Sequence, residues 1–488
     1  MLSVTYALAA LGCFLSATLI APVLVALLAG EADVAGRLFL YFGLGVFAFG
    51  APLIATMGRA RRPDPAGQLV TLILGWTLLP LVMAVPLADV GKLPLLDAMF
   101  ESVSAYTTAG ASTVKVADAL PQGVLFLRAQ AQWIGGFLAV MSIVLVLAPL
   151  GLGGLSARSA TLSGGSLADL SRERFAALAW RYGSLYVLLT AICFLLLFLS
   201  GARAFHAATL AMTALSTGGI LPFDRPLEVA VGPAGLVVMA GFLLIGATSV
   251  FWQRAVLTGQ WALVRRHRES YAVMGTVLVV TVAFAALLAA VPGSGPLLEP
   301  LLAESFFSAA SIVSTSGIES RPGVQTLMPL TVVLFLILLG GSAFGTSGGL
   351  KHYRLGGMLV RSRGELDRLV YPAIVRPAHF GSQSYDPSLM RAIWAFFWAA
   401  LVTIALGTFL VTLSGLSFEP ALTAAIAAFT TAGPVYEAGW GGPASPDWPL
   451  YSDMPGAAKL VLMAIMVLGR LEVLAVLGVL VLRPWSSR

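Results

Sequence analysis

Four times in this 488-residue chain a short stretch closes on Ser or Thr, then Thr, one further residue and Gly: Thr107-Thr108-Ala109-Gly110, Ser216-Thr217-Gly218-Gly219, Ser314-Thr315-Ser316-Gly317 and Thr430-Thr431-Ala432-Gly433. The chemistry open to such a set is coordination of a dehydrated cation. Unpaired backbone carbonyls can replace the hydration shell of a permeating ion, as rings of carbonyl oxygens do in ion filters. Glycine suits a position where a carbonyl must face an axis with dihedrals that a Cβ opposes. The Thr and Ser before it add hydroxyl oxygens and local hydrogen bonds that hold the loop. A single copy reads as a loop ending a helix; four copies in the same topological place call for a common role.

The elements that position these tetrapeptides follow from length and hydropathy. The four glycines are 109, 98 and 116 residues apart, and the stretches leading to them begin at Ala98, Ala207, Ser305 and Ala421. Each stretch, about ten residues, is too short to cross the roughly 30 Å of hydrocarbon and suits a re-entrant half-helix. Its C-terminal partial negative charge then points at the centre, where it favours a cation. The whole chain is 58% apolar and 11% charged, with a mean hydropathy of +0.91, which excludes a water-soluble globule. Apolar length predicts ten spans, at 6–29, 38–57, 69–90, 125–150, 184–200, 231–251, 272–291, 327–341, 392–413 and 457–482. The first is long enough to span and lacks a basic leader, so it reads as a retained helix rather than a signal peptide. Each tetrapeptide lies between an incoming and a returning span, so all four units share one orientation, unlike inverted-repeat carriers. Non-helical backbone at membrane depth survives only where it is buried or lines a water-filled path, and four units closed around one axis provide that. The expected organisation is an N-terminal two-helix membrane domain at 1–66 and pore repeats at 67–160, 161–262, 263–370 and 371–488.

Charge sets the orientation. The segments 58–68, 151–183, 252–271, 351–391 and the C-terminal tail hold 20 Lys or Arg, against six on the opposite side. By the positive-inside rule these segments and both termini face the cytoplasm. Fifteen of the 23 acids fall on the outer side, where they would concentrate cations. The cytoplasmic basic face suits anionic lipid or an acidic partner surface. Cys13 and Cys193 lie in apolar runs and read as small core residues.

With these residues in place, the chain resembles the Trk/Ktr/HKT superfamily of potassium transporters over essentially its whole length, most closely the TrkH-type membrane subunits. Besides the four tetrapeptides, Gln132-Trp133-Ile134-Gly135-Gly136, Gly348-Gly349-Leu350-Lys351 and Leu468-Gly469-Arg470-Leu471-Glu472 look like family motifs. The two spans before the first repeat match the extra N-terminal pair of that branch rather than the shorter Ktr subunit. The resemblance implies an all-α integral membrane protein with four parallel M1-pore helix-M2 repeats around one pseudo-fourfold pore. It also implies potassium uptake across the inner membrane, with the potassium ion as transported ligand and no organic cofactor. The partners it implies are a second copy in a homodimer and a cytoplasmic nucleotide-binding ring protein; membrane lipid is expected and nucleic acid is not. One departure is Gly433-Pro434-Val435-Tyr436, which lacks the further glycine expected after Gly-Pro and leaves the course of the chain beyond Gly433 open.

Two places could control flux. Five glycines fall between Gly340 and Gly349, a run that cannot stay helical at about 1 kcal/mol per glycine. Gly345, Thr346, Ser347, Gly348 and Gly349, with Lys351 after them, are expected to form an intramembrane loop acting as a gate; the plainer alternative is a flexible exit. Arg470, near the centre of the last span, either projects into the pore beneath the filter or pairs with loop carbonyls or a carboxylate; Glu472 is not on its helix face. Arg128 is expected to snorkel from the end of its span. Sodium permeation or ion coupling remains open on the same fold. A remote reading takes Ser347 as an intramembrane protease nucleophile with Asp367 and His379, but the strand-to-helix elbow it needs is not expected.

Overall fold

The computed structural model describes residues 2–58, 64–150, 172–290, 298–371, 379–380, 383–442, 447–473 and 476. Calls on 59–63, 151–171, 291–297 and most of the tail after 473 lie outside the described residues. The N-terminal pair is α1 (Leu2–Thr18) running on through α2 (Ile20–Leu28), and α3 (Ala32–Thr56). The first repeat follows as α4 (Pro65–Gly91), α5 (Leu95–Tyr106) and α6 (Gln122–Ser142), the last extended by a π-turn at Ile143–Leu147. The second is α7 (Arg172–Leu199), α8 (Ala204–Ser216) and α9 (Leu227–Ala247), with α10 (Val250–Leu257) and α11 (Trp261–Arg266) as connectors. The third is α12 (Arg268–Ala290), α13 (Leu298–Val313) and α14 (Leu330–Leu339), then α15 (His352–Val370). The fourth is α16 (Pro387–Leu413), α17 (Phe418–Thr430) and α18 (Gly456–Leu471). The sheet among the described residues is one hairpin in which His379 pairs with Ser384 and Phe380 with Gln383.

Among the described residues, eight helices are long and apolar enough to cross a membrane. They coincide with eight of the ten predicted spans. The expected span at 327–341 is corrected: α14 has ten residues, about 15 Å of rise, and stops where Gly340 turns to φ +62°. The tenth reaches Leu471 as a helix before the described residues thin out. Every returning helix starts directly after a proline, at Pro121, Pro226, Pro329 and Pro455, with ψ between 136° and 147°. Proline lacks the N–H that an unpaired helix start would leave idle, and its fixed φ turns the chain back into the membrane.

The repeats close into a ring. Each returning helix packs on the short helix of the next repeat: α6 on α8, α9 on α13, α14 on α17, and α18 back on α5. This cyclic order, with every unit in the same sense, is the architecture expected of four parallel repeats. The polarity is inverted relative to a soluble protein. Leu278, Val279, Phe409 and Leu413 face outward, while Thr107, Thr217, Ser314 and Thr430 are buried at the centre.

Candidate functional site

All sixteen residues of the four tetrapeptides are buried and meet at the ring's centre. In each, the second residue has a positive φ: +55° at Thr108, +51° at Thr217, +62° at Thr315 and +57° at Thr431. These threonines end the short helices in the left-handed conformation, as Thr217 and Thr431 do at the C-caps of α8 and α17. For a β-branched residue that costs about 1–3 kcal/mol and persists only where surrounding contacts impose it. The sequence placed the unusual dihedrals at the glycines. Gly110 (+76°) and Gly317 (+71°) have them, but Gly219 and Gly433 are required for close approach instead. A Cβ on Gly219 would stand 2.5 Å from Cγ of Pro434 and 2.9 Å from Cα of Gly110, and one on Gly433 would stand 2.7 Å from the carbonyl oxygen of Ala109. The loops touch directly: the Gly433 N–H donates to the Ala109 carbonyl at 2.6 Å, and the Ser316 hydroxyl donates to the Gly218 carbonyl. From Gly433 the chain makes a 3₁₀ turn, Gly433–Glu437, in which no residue has a positive φ, so the missing glycine after Gly-Pro is not needed.

Side chains from the helices hold these loops. Gln132 of the Gln-Trp-Ile-Gly-Gly motif clamps both backbone groups of Ile220, accepting from its N–H at 3.0 Å and donating to its carbonyl at 3.3 Å. Gly135 and Gly136 let α6 lie against Tyr106 and Ser216, where a Cβ would collide with backbone. Arg128 does not snorkel. It is 3% exposed and pairs at 3.1 Å with Glu101, itself fully buried, and donates to the Ser112 hydroxyl at 2.8 Å. The reason is the partner on α5: Glu101 accepts the Thr113 N–H at 2.6 Å, and a buried carboxylate needs a counter-charge. On the same side, Lys115 donates to Asp453 at 2.7 Å and holds that exposed carboxyl below its usual range.

Directly against the tetrapeptides lies the glycine-rich segment between α14 and α15. It is anchored on α9, with the Ser342 N–H donating to the Ala247 carbonyl at 2.8 Å and that of Thr346 to Gly246 at 2.9 Å. Glu269 of α12 accepts from the N–H groups of Ala343 (2.7 Å) and Tyr353 (3.2 Å), clipping both ends of the loop. The Thr217 hydroxyl donates to that of Thr346 at 3.2 Å, and the Gly348 N–H donates to Oγ1 of Thr315 at 2.7 Å. A Cβ on Gly348 would lie 2.5 Å from Oγ1 of Thr431, and on Gly345 it would meet the Gly246 carbonyl at 2.9 Å. Gly349 (φ +79°) folds back on Gly340, and Lys351 donates to the Ser347 carbonyl. Arg470 completes the set. Its Nε donates to the Thr107 carbonyl at 2.5 Å, Nη1 to the Thr346 carbonyl at 2.6 Å, and Nη2 to the Thr108 hydroxyl. Thr346, Gly348 and Arg470 therefore reach the left-handed threonine of every repeat. Glu472, as expected, faces elsewhere and pairs with Arg354 at 2.5 Å. Ser347 sits between two helices rather than at a strand-to-helix turn, and His379 belongs to the hairpin after α15.

The family model for TrkH, described as cation transport protein, matches residues 42–260 and 271–484. The Trk system potassium uptake protein TrkH of Salmonella typhimurium is 29% identical over 466 residues, covering 95% of this chain and 94% of that one, and that of Escherichia coli K12 aligns equally. The crystal structure of the potassium transporter TrkH from Vibrio parahaemolyticus superposes with a TM-score of 0.85 at 25% identity, covering 100% of this chain and 99% of that one. The chain belongs to the TrkH family of cation transport proteins, as an integral membrane transporter subunit rather than an enzyme.

Proposed function

We propose that this chain takes up potassium across the inner membrane, with the four tetrapeptides as its selectivity filter and the glycine-rich loop with Arg470 as the barrier beneath. The names of the relatives support potassium as the transported ion. The observation that carries the mechanism is the set of contacts from Thr346, Gly348 and Arg470 to Thr108, Thr217, Thr315 and Thr431. Backbone this close to the filter leaves an ion no exit until the loop withdraws. A fixed guanidinium on the Thr107 carbonyl also competes with a cation for the same oxygen. The repeats divide at 67–160, 161–262, 263–370 and 371–488, after an N-terminal pair at 1–66. Both termini and the basic segments face the cytoplasm, where a nucleotide-binding ring protein of the Trk system would act on the loop through α15; the subunit works as a homodimer in lipid.

The test is cation flux in reconstituted vesicles with potassium, sodium and choline compared. Potassium flux well above sodium, with none for choline, is the expected result. Equal potassium and sodium flux would leave a sodium-permeable transporter of the same fold, and a requirement for a proton or sodium gradient would make it a coupled one.

A further inference from the structure

In two of the four repeats a carboxylate beyond the tetrapeptide is tied, through one intermediate residue, to the carbonyl of the tetrapeptide's glycine. In the third, Glu319 accepts from the backbone N–H of Gln325 at 3.0 Å and of Gly323 at 3.2 Å, and Nε2 of Gln325 donates to the Gly317 carbonyl at 2.8 Å. In the fourth, Glu437 accepts from the backbone N–H of Tyr451 at 2.9 Å, and the Tyr451 hydroxyl donates to the Gly433 carbonyl at 3.1 Å. The side chains and the spacings differ, yet the relay is the same: carboxylate, backbone N–H, side-chain donor, glycine carbonyl. Gln325 and Tyr451 are fully buried, and the Tyr451 ring is fixed between Phe100 and Tyr436, with centroids 5.5 and 4.8 Å away.

A peptide next to glycine meets little steric resistance to rotation, so its carbonyl direction must be imposed from outside. Rotation would change how many oxygens face the ion, and selectivity depends on the number and field of those oxygens. We propose that Gln325 and Tyr451 are selectivity-determining residues of the filter, and that Glu319 and Glu437 are positioning residues acting through them. This rests on the filter reading above.

Both carboxyls lie in the loops outside the spans; Glu319 is half-buried, which pushes it up to about 7, whereas Glu437 is exposed and solvent screens its charge. The groups near Glu437 are Glu101, Asp453 and the Tyr451 N–H, and Asp453 is itself held by Lys115. Around Glu319, only the N–H groups of Gly323 and Gln325 offset burial. The charged groups nearby are Arg321 and Glu304, paired at 2.7 Å, and Glu228, whose N–H donates to the Ser320 carbonyl at 3.1 Å. Above pH 7 the Glu319 carboxylate is charged and pulls on its N–H donors; as external pH falls through 7 it takes up a proton and that charge-assisted hold is lost.

The experiment is the potassium-to-sodium flux ratio in vesicles for Gln325→Met and Tyr451→Phe, each of which removes one donor and little volume. At external pH 8 the expected drop is about fivefold for each, the factor that one typical hydrogen bond carries. The wild-type ratio should fall between pH 8 and 6, and that fall should vanish in Glu319→Gln. Gly317→Ala serves as control. If it lowers the ratio while both donor variants keep the wild-type value, the relay is overturned and the filter stands; if it too changes nothing, the filter assignment itself fails. Should the variants not fold, the wild-type pH profile decides, and a ratio flat from pH 8 to 6 overturns the relay.

Discussion

Nη1 of Arg470 lies 2.6 Å from the carbonyl oxygen of Thr346, so one buried guanidinium joins the last helix to the loop beneath the tetrapeptides. The same side chain reaches the first tetrapeptide at Thr107. On the proposed barrier role, removing it frees the loop and deletes a positive charge from the ion's path. At an effective dielectric near 20, a unit charge about 6 Å away raises a cation's energy by roughly 3 kcal/mol, and about 1.4 kcal/mol is already tenfold in rate. Arg470→Ala is expected to raise potassium uptake per folded protein about tenfold, measured in vesicles with yield read by size-exclusion chromatography. Normal yield with unchanged or reduced flux would sink the barrier role.

Deleting Thr346 to Gly348 removes the contacts to Thr217 and Thr315 while leaving Gln132 and Gln325 on their loops. Potassium flux should rise, with the preference over sodium kept. A loss of preference would mean that the loop shapes the filter rather than blocking it.

Gly110 combines a φ of +76° with a neighbour that a Cβ would meet at 2.5 Å, the Cα of Gly219. Gly110→Ser must therefore displace two loops at once. The potassium-to-sodium flux ratio should drop at least tenfold, and an unchanged ratio counts against the assignment.

The Glu101–Arg128 pair is buried on both sides, and removing one member of such a pair costs about 3–5 kcal/mol. Arg128→Met should lower the melting temperature and the folded yield in detergent by a wide margin. A melting curve matching the wild type would show that the pair is dispensable.

Among the described residues the Ser347 hydroxyl has no hydrogen-bond partner, and Lys351 takes the carbonyl of that residue instead. Ser347→Ala is expected to leave potassium uptake within about twofold, since no hydrogen bond is lost. Serine-directed labelling that disappears in this variant would revive the protease reading.

The four tetrapeptides and their shared orientation were legible because a repeated pattern survives any local ambiguity. The left-handed threonines were not, since nothing in a Thr-Thr pair announces a conformation that β-branching disfavours; at Thr108, Thr217 and Thr315 the hydroxyl is engaged by Arg470, Thr346 and Gly348, residues 362, 129 and 33 positions away. Arg128 was misjudged for the same reason: its partner Glu101 sits 27 residues earlier, across a turn that spacing does not reveal. A signal was overlooked at Pro121, Pro226, Pro329 and Pro455, which mark the start of every returning helix and would have cut the eighth span to its true beginning.

The ring is made of quarters that differ, since one chain supplies all of them. Arg470 belongs to a single quarter, and among the described residues it alone of the returning helices' side chains brings a guanidinium to the tetrapeptides. A pore assembled from four identical subunits could not do this: the same substitution would set four cations around the axis, repelling one another by about 2 kcal/mol for each pair some 8 Å apart at an effective dielectric of 20. One chain supplying all four quarters thus permits a lone charge at the centre of a fourfold frame, so that on the proposed barrier role its height is tuned by one residue at a time.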